Sequence, residues 1–268
     1  MTTKSKKPVK PVEKPFLKGN PTDERTVKTA LGFFGVLVLT AFMTFMVCTA
    51  MSMDNRILRI VLNSMVELLV LFIFYNNAIG RGTEAVARGE ILWQRQEKGH
   101  PFTEKERAIC FHPAKGYVTG VLGTIPILIC AIILAVTADR QVTGYGALPS
   151  WVSSLQGRNE LGDALAAYTV REGMSVMDVI RILVRVGVMP FVSMVGAENR
   201  DGMLLLERLS PIIVLLPAIA YGTGYLQGQK ERTRIHTGIA ENRKSRARKE
   251  KRARKARMNR PKGPEQLN

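Results

Sequence analysis

The sequence predicts an all-α integral membrane protein: a four-span helical bundle with an extra amphipathic helix and disordered basic termini. Charged residues make up 23% of the 268 residues, yet four long stretches are almost free of them. As helices rising about 1.5 Å per residue, these stretches are long enough to cross a hydrocarbon core of about 30 Å. Segregation of charge on this length scale is typical of membrane proteins rather than soluble domains.

The chain begins with a basic segment, residues 1–28, which contains four prolines and eight Lys or Arg residues. Such a composition offers too little apolar surface to offset the entropy lost on ordering, so we predict a disordered tail. The apolar stretch that follows is too long for a signal-peptide core and lacks a small-residue cleavage site after it. We therefore expect an uncleaved anchor.

The four predicted transmembrane helices cover residues 29–53, 60–80, 116–138 and 209–229. The first has no charged side chain over twenty-five positions, and the second contains a single one, Glu67. Prolines inside the third and fourth spans are tolerated in membrane helices when neighbouring groups satisfy the freed carbonyls.

Two pairs of glycines four residues apart lie near one end of the bundle. Gly116 and Gly120 begin the third span, and Gly224 and Gly228 end the last. Small residues at this spacing allow helix backbones to approach closely. The pairs favour a packed bundle, within one chain or between chains.

The loop between the second and third spans, residues 81–115, carries charges of both signs. Thr103 followed by Glu106 matches a capping box, and Phe102 stands in the position of a hydrophobic staple. We predict a cytosolic helix–turn–helix on the membrane surface.

An external segment is predicted over residues 139–208, with an amphipathic helix at 175–196. That helix is apolar enough to suggest a fifth span, but Asp178, Arg181 and Arg185 fall on one helical stripe. Three central charges would cost roughly 2.5–3.5 kcal/mol each on insertion, which the apolar residues do not clearly offset.

Two further residues set the limits of this amphipathic helix. Ser175 is a natural N-cap, with Asp178 three residues on, and Pro190 should limit or bend the helix. We predict that the helix is interfacial or re-entrant, with Arg181 and Arg185 reaching lipid head groups.

The orientation follows from the distribution of Lys and Arg. With four spans, residues 1–28, 81–115 and 230–268 share one side and hold 30 of these residues, whereas 54–59 and 139–208 hold 9. The positive side is cytosolic, so both termini are predicted to be cytosolic. We expect a multi-pass protein of the cytoplasmic membrane, and the lack of an N-glycosylation acceptor in the external segment favours a prokaryotic one.

A candidate intramembrane polar site is formed by Asn63 and Glu67, which lie one helical turn apart in the second span. Ionisable residues inside a membrane are costly and are treated first as functional candidates. The alternatives are an interhelical hydrogen bond from a protonated Glu67, or a buried pair with Arg181 or Arg185.

The tail, residues 230–268, contains fifteen Lys or Arg residues and four acids. The simplest interpretation is a topogenic anchor and a solvated helix. A sharper interpretation, which we adopt, is contact with anionic lipid at the cytosolic face, at about 1 kcal/mol per basic residue near the surface. The candidate lipid-contacting residues are Arg243, Lys244, Arg246, Arg248, Lys249, Lys251, Arg252, Arg254, Lys255 and Arg257. Contact with nucleic acid or the ribosome is a weaker alternative, and it would be led by phosphates because no aromatic residue follows Tyr225.

Catalysis is not expected. No nucleophile-elbow, HExxH, P-loop or GxGxxG motif occurs, and the spans contain no histidine and one carboxylate. Cys110, His112 and His100 lack a fourth ligand and a familiar zinc spacing, so we predict no metal and no cofactor.

The sequence therefore predicts a non-catalytic membrane component, an accessory or scaffold protein whose basic tail contacts anionic lipid or a partner. Other membrane subunits or a homo-oligomer are further expected partners. The alternative is a small transporter or channel subunit that uses Glu67.

Overall fold

A computed structural model describes residues 12–51, 53, 55–138, 175–196 and 199–258. Within these ranges every regular element is an α-helix and none is a strand. Four helices are long and apolar enough to cross a membrane, as predicted. Most of the predicted external segment and the outermost parts of both tails lie outside the described residues.

The helices are numbered in chain order. They are α1 (Glu24–Ala50), α2 (Arg56–Glu97), α3 (Glu104–Ala108), α4 (Lys115–Thr137), α5 (Val176–Gly187), α6 (Met189–Val195), α7 (Arg200–Val214) and α8 (Leu216–Met258).

The long helices extend beyond the apolar stretches that predicted them. Helix α1 begins at Glu24, where the Thr26 hydroxyl donates a hydrogen bond of 2.7 Å to Asp23 Oδ1 and accepts one of 2.8 Å from the Asp23 backbone N–H. Helix α2 does not stop near residue 80 but continues to Glu97. The first helix of the predicted loop is therefore an extension of the second span, because no proline or capping residue breaks it. The capping box of Thr103 and Glu106 is confirmed at the start of α3.

Helix α8 occupies the centre of the arrangement, between α2 on one side and α4 on the other. It runs parallel to α2, since Gly224 packs on Tyr75 and Gly228 packs further along on Gly82. Helix α4 also packs against α1 and α7, whereas α1 and α2 make few direct contacts. A cleft is thereby left between α1 and α2.

Both glycine pairs lie where helices approach closely. A Cβ atom built at Gly120 would lie 3.0 Å from the Cα of Ala218 in α8, and one at Gly228 would lie 2.5 Å from the carbonyl carbon of Gly82 in α2. Gly116 packs on the Tyr225 side chain in the same way. These contacts occur within one chain, so α8 packs closely against both α2 and α4.

The predicted amphipathic helix 175–196 is divided at Val188, just before Pro190, into α5 and α6. The capping box of Ser175 and Asp178 is confirmed at the start of α5. Helix α5 packs against α4, and α6 packs between α1 and α2. The pair thus closes the cleft between α1 and α2 at one end of the bundle, called here the α5–α6 end. The opposite end, where α1 begins and α2 ends, is called the basic end.

Residues 12–23 differ from the predicted disordered tail. They lie as an extended segment across the basic end, where the Leu17 N–H donates to the Gly89 carbonyl (3.2 Å) and the Gly19 N–H donates to the Phe111 carbonyl (2.9 Å). The Phe16 ring meets the Phe111 ring edge-on, with centroids 6.0 Å apart. The prediction of disorder is wrong for residues 12–28. Phe16 and Leu17 are apolar residues in a basic segment, and they contact an aromatic ring and a backbone carbonyl that are distant in sequence.

The basic C-terminal segment also differs from the disorder predicted for it. Helix α8 is unbroken from Leu216 to Met258, so residues 230–258 continue the last span as a helix. Side-chain charge does not prevent this, because Lys and Arg are good helix formers and the sequence lacks proline until Pro261.

Candidate functional sites

Glu67 of α2 lines a small cavity inside the bundle. The cavity has a volume of about 30 Å³, and Thr40 and Thr44 of α1 contribute hydroxyl groups to its wall. Pro190, beside the break between α5 and α6, and Pro217, at the start of α8, also line the cavity, and most of its wall is apolar. Within the described ranges the carboxyl group of Glu67 makes no hydrogen bond or ion pair.

Asn63 is placed on the same helix but does not line this cavity. Its side chain is buried, and its amide donates to the Arg59 backbone carbonyl at 2.8 Å. The structure therefore surrounds Glu67 with Thr40 and Thr44 rather than with Asn63.

The stripe of Asp178, Arg181 and Arg185 on α5 faces α7. Arg181 Nε lies 3.1 Å and Arg185 Nη2 lies 2.6 Å from Glu207 Oε1. Arg181 Nη1 also lies 3.5 Å from Asp178 Oδ1. Glu207 is 3% exposed and Arg185 is 27% exposed, so among the described residues two acids and two bases form a largely buried cluster of opposite charges.

The interpretation that Glu67 pairs with one of these arginines is wrong. Their acid is Glu207, which lies in α7 and precedes the apolar stretch at 209–229. The signal was present in the sequence as a lone acid just before the last span. The assumption that the span starts at residue 209 placed that acid outside the bundle.

At the basic end, Lys115 is buried and joins two segments of the chain. Its Nζ atom donates to Asp23 Oδ2 (2.8 Å) and to the Ala108 carbonyl (2.7 Å). Burial alone would raise the pKa of Asp23, but hydrogen bonds from Lys115 and Thr26, together with the charge of Lys115, outweigh it and lower the pKa. The start of α4 is thereby fastened to the start of α1.

A second polar contact joins the extensions of α2 and α8. The two carboxylate oxygens of Glu90 meet different partners: Oε2 lies 2.8 Å from Arg232 Nη2, and Oε1 lies 2.7 Å from His236 Nε2. Burial acts to raise the pKa of Glu90, but the hydrogen bonds and charges of Arg232 and His236 outweigh it and hold the pKa below its usual value.

Beyond this contact, the basic residues of α8 are exposed. Every residue from Glu241 to Lys255 is exposed, which includes all but one of the candidate lipid-contacting side chains; that of Arg257 lies outside the described side chains. Among the described residues, the hydrogen bond nearest the C-terminus that joins α8 to another segment is made by Thr237, whose hydroxyl accepts from the Val12 N–H at 3.0 Å.

A larger cavity, of about 560 Å³, lies between α1 and α2 at the basic end. Arg25, Lys28 and Arg81 line its charged part, and Phe33 and Phe74 line its apolar part. A neighbouring cavity of about 120 Å³ shares Arg25 and Arg81 with it and extends towards Lys115. The sequence shows that basic residues lie beside the ends of the first two spans. It does not show that these residues line one cavity.

Among the residues with described positions, no group of three His, Cys, Asp or Glu side chains is arranged to hold a metal ion. His112 uses its Nδ1 atom to accept a hydrogen bond from the Ala114 N–H at 3.2 Å. Cys110 is buried and donates weakly to the Glu106 carbonyl. Both side chains are thus engaged in local structure at the end of α3.

No protein-family model, curated protein or solved structure matches this chain.

Proposed function

We propose that this chain is a multi-pass protein of the cytoplasmic membrane, with four spans and both termini in the cytosol. The exposure of the apolar residues supports insertion: only 11% of the most apolar stretch of α2 and 22% of that of α1 are buried inside the protein. Large apolar faces on an isolated chain require a bilayer or protein around them. The concentration of Lys and Arg at the basic end supports the orientation.

Its role is that of a non-catalytic scaffold that holds a rigid basic helix in the cytosol for a polyanionic partner. The observation that carries this proposal is the continuity of α8, which runs without a break from the apolar bundle to Met258. The base of the helix is held by α2 through Glu90 and by the N-terminal segment through Val12. The exposed part therefore projects from a fixed base.

The direction of α8 favours a partner in the cytosol over the lipid leaflet. At about 1.5 Å per residue, Arg243 lies about 21 Å and Arg257 about 42 Å along the axis beyond residue 229, where the last span is predicted to end. Both distances exceed the Debye length of about 8 Å at physiological salt. The basic residues also occupy all faces of the helix, so it lacks the apolar stripe with which interfacial helices enter a membrane.

The chemistry of the exposed surface favours phosphate groups as ligands. Lys and Arg side chains bind phosphate by charge and hydrogen bonding, and no aromatic residue after Tyr225 is available to stack on bases. The partner class that fits is the phosphate backbone of a cytosolic nucleic acid, bound without regard to sequence and with strong salt dependence.

The test uses the full-length protein in nanodiscs of phosphatidylcholine and a fluorescent RNA hairpin as the probe. For the native chain we expect the affinity to fall by about 10³-fold or more between 50 and 200 mM salt. Replacing the ten basic residues from Arg243 to Arg257 by Gln should remove most of the binding. The matched control replaces Lys4, Lys6, Lys7 and Lys10 by Gln and should bind nearly as well as the native chain.

Two outcomes would contradict this role. One is equal RNA affinity in the native and ten-Gln proteins. The other is native binding that disappears when the nanodiscs contain phosphatidylglycerol, because the tail would then prefer the anionic leaflet predicted from the sequence.

A second candidate function is transport, and the observation in its favour is the cavity of Glu67. The Glu67 carboxyl group has no hydrogen-bond partner among the described residues, and it lines this cavity with Thr40 and Thr44 beside the helix breaks at Val188 and Leu215. Interrupted helices next to a polar cavity are a recurrent feature of transporters. Glu67→Gln should abolish proton or sodium flux into proteoliposomes, whereas Glu231→Gln, an exposed acid, should not. Equal flux in Glu67→Gln and the native protein would exclude this function.

A further inference from the structure

The cavity of about 560 Å³ lies at the level where two predicted spans meet the cytosolic surface. Arg25 and Lys28 immediately precede residue 29, where the first span is predicted to begin, and Arg81 immediately follows the second span. Phe33 and Phe74 lie one to two helical turns further into their spans. The cavity therefore has a charged part at the expected headgroup level and an apolar part at the level of the acyl chains.

The three cations of this cavity differ from three basic residues that pack within the helical core. Lys115, Arg181 and Arg232 each pair with a carboxylate. No ion pair joins Arg25, Lys28 or Arg81 to another described residue, and no carboxylate lines the cavity. Asp23 and Glu84 line the neighbouring cavity with Arg25 and Arg81 rather than this one. The three cations therefore produce a positive potential in this cavity that an anion would neutralise.

The polar groups beside the cations suit a phosphate ester. Thr29 of α1 and Asn77 of α2 also line the cavity, and both carry hydrogen-bond donors. The guanidinium groups of Arg25 and Arg81 can each donate two parallel hydrogen bonds to phosphate oxygens.

The apolar part suits a hydrocarbon chain. Phe33 and Phe74 are 4% and 1% exposed and pack with ring centroids 4.9 Å apart, and Phe33 also packs edge-on against Tyr221 of α8. Because they pack against one another, these rings form a rigid apolar floor of the cavity. The cavity is open to the side because α1 and α2 make few contacts and because Gly32, in its wall, has no atom within 4 Å of a Cβ position.

We propose that this cavity binds one anionic glycerophospholipid of the inner leaflet, with its phosphate between Arg25, Lys28 and Arg81 and its glycerol and upper acyl chain against Phe33 and Phe74. The proposal rests on the membrane insertion and orientation proposed above, but not on the role of α8. Basic pockets between membrane helices on the cytosolic side are a known mode of anionic-lipid binding. The apolar floor favours a lipid over free phosphate, which would leave that surface uncovered.

The test is photocrosslinking of the full-length protein in phosphatidylcholine nanodiscs that contain a small fraction of phosphatidylglycerol with a diazirine close to the glycerol. Labelled peptides are located by mass spectrometry, so binding at this cavity is separated from binding to α8. We expect adducts on the segments that contain Phe33 and Phe74. Arg81→Gln should lower their yield about fivefold.

A second variant fills the cavity with a side chain and leaves its charge unchanged. Gly32→Leu should place its side chain in the cavity and remove the adducts. Gly35→Leu is its matched control, because Gly35 also has no atom within 4 Å of a Cβ position but does not line the cavity. Native yield in Gly35→Leu together with loss in Gly32→Leu supports the site.

Three results would overturn the proposal. They are unchanged yields in both Arg81→Gln and Gly32→Leu, equal labelling by a diazirine phosphatidylcholine, and full displacement of the lipid by millimolar glycerol phosphate. If Gly32→Leu fails to enter nanodiscs, Arg81→Gln decides alone, since Arg81 is exposed at the end of a span. Failure of the protein to enter nanodiscs at all would instead refute the membrane insertion on which both proposals rest.

Discussion

At the α5–α6 end of the bundle, Arg181 and Arg185 share the buried carboxylate of Glu207, and with Asp178 the described residues there contribute two acids and two bases. At the basic end, Arg25, Lys28 and Arg81 surround a cavity whose lining contains no acid. Among apolar helices a buried charge must be balanced, because its desolvation is costly. The balanced cluster is therefore explained by folding, whereas Arg25, Lys28 and Arg81 are exposed and stay available to a ligand.

The basic end contains balanced contacts as well. Lys115 pairs with Asp23, and Glu90 pairs with Arg232 and His236. These pairs join α1 to α4 and α2 to α8 at this end, while no ion pair joins the cations that line the cavity to another described residue. The same region thus separates residues that stabilise the protein from residues available to a ligand, and variants of the two kinds should differ in what they change.

The largest loss of stability should follow Glu207→Gln, which leaves Arg181 and Arg185 buried without their shared acid. We expect the free energy of unfolding to fall by about 3–5 kcal/mol, measured by reversible unfolding in mixed micelles. Glu231→Gln, which removes a surface pair with Arg234, should change it by less than about 1 kcal/mol.

The double variant Glu207→Gln with Arg185→Gln sharpens this test. It should recover part of the loss, since fewer charges are left unbalanced. Additive losses in the double variant would show that the cluster does not act as a unit.

A somewhat smaller effect is expected for Glu90→Gln, about 3 kcal/mol, because Arg232 retains some access to solvent. The pKa of Glu90 is lowered in the folded protein, so its contribution is complete above the unfolded value of about 4.3 and is lost as the pH falls through the folded pKa. Unfolding measured from pH 6 downwards should show a weaker acid dependence in the variant. Identical pH profiles for the two proteins would contradict the assignment.

Close packing of α2 on α8 predicts the next effect. Gly228→Ala places a methyl group against the Gly82 backbone and should cost about 1–3 kcal/mol. Gly238→Ala, in the same helix but with no atom within 4 Å, should instead stabilise by up to about 1 kcal/mol. Thermal unfolding of both variants gives opposite signs if the helices meet as described, and the same sign if they do not.

The smallest effect is expected at the start of α5. Ser175→Ala removes the side chain that accepts from the Met177 N–H and should cost about 1 kcal/mol, whereas Ser175→Thr should retain most of the stability. Denaturant midpoints are sensitive enough to separate the two variants. Equal midpoints would indicate that the capping hydrogen bond contributes nothing measurable.

Local sequence patterns predicted local features well. The lengths of the apolar stretches predicted four long helices, and the caps at Thr103 and Ser175 are confirmed by their hydrogen bonds. Pro190 breaks the amphipathic helix as expected. Each of these features depends on residues within a few positions of one another, which is the range over which helix propensity and capping act.

Predictions failed where a segment found partners distant in sequence. The average composition of the N-terminal segment predicts disorder for residues 12–23. Phe16 and Leu17 nevertheless contact residues of α2 and of the loop before α4. The sequence suggested Glu67 as a partner for Arg181, whereas the structure pairs Arg181 with Glu207. Helical periodicity relates residues within one segment, so it does not predict contacts between distant segments.

By itself, the sequence determined an all-helical chain with four membrane-length helices and a strongly uneven charge, since apolar length and composition are properties of single segments. Only the tertiary structure decided which charges are balanced, that α8 packs parallel to α2, and that Arg25, Lys28 and Arg81 share one cavity. The physical reason is that a charge in an apolar bundle is stabilised by whatever approaches within a few ångströms, and packing of the helices determines which residues do so.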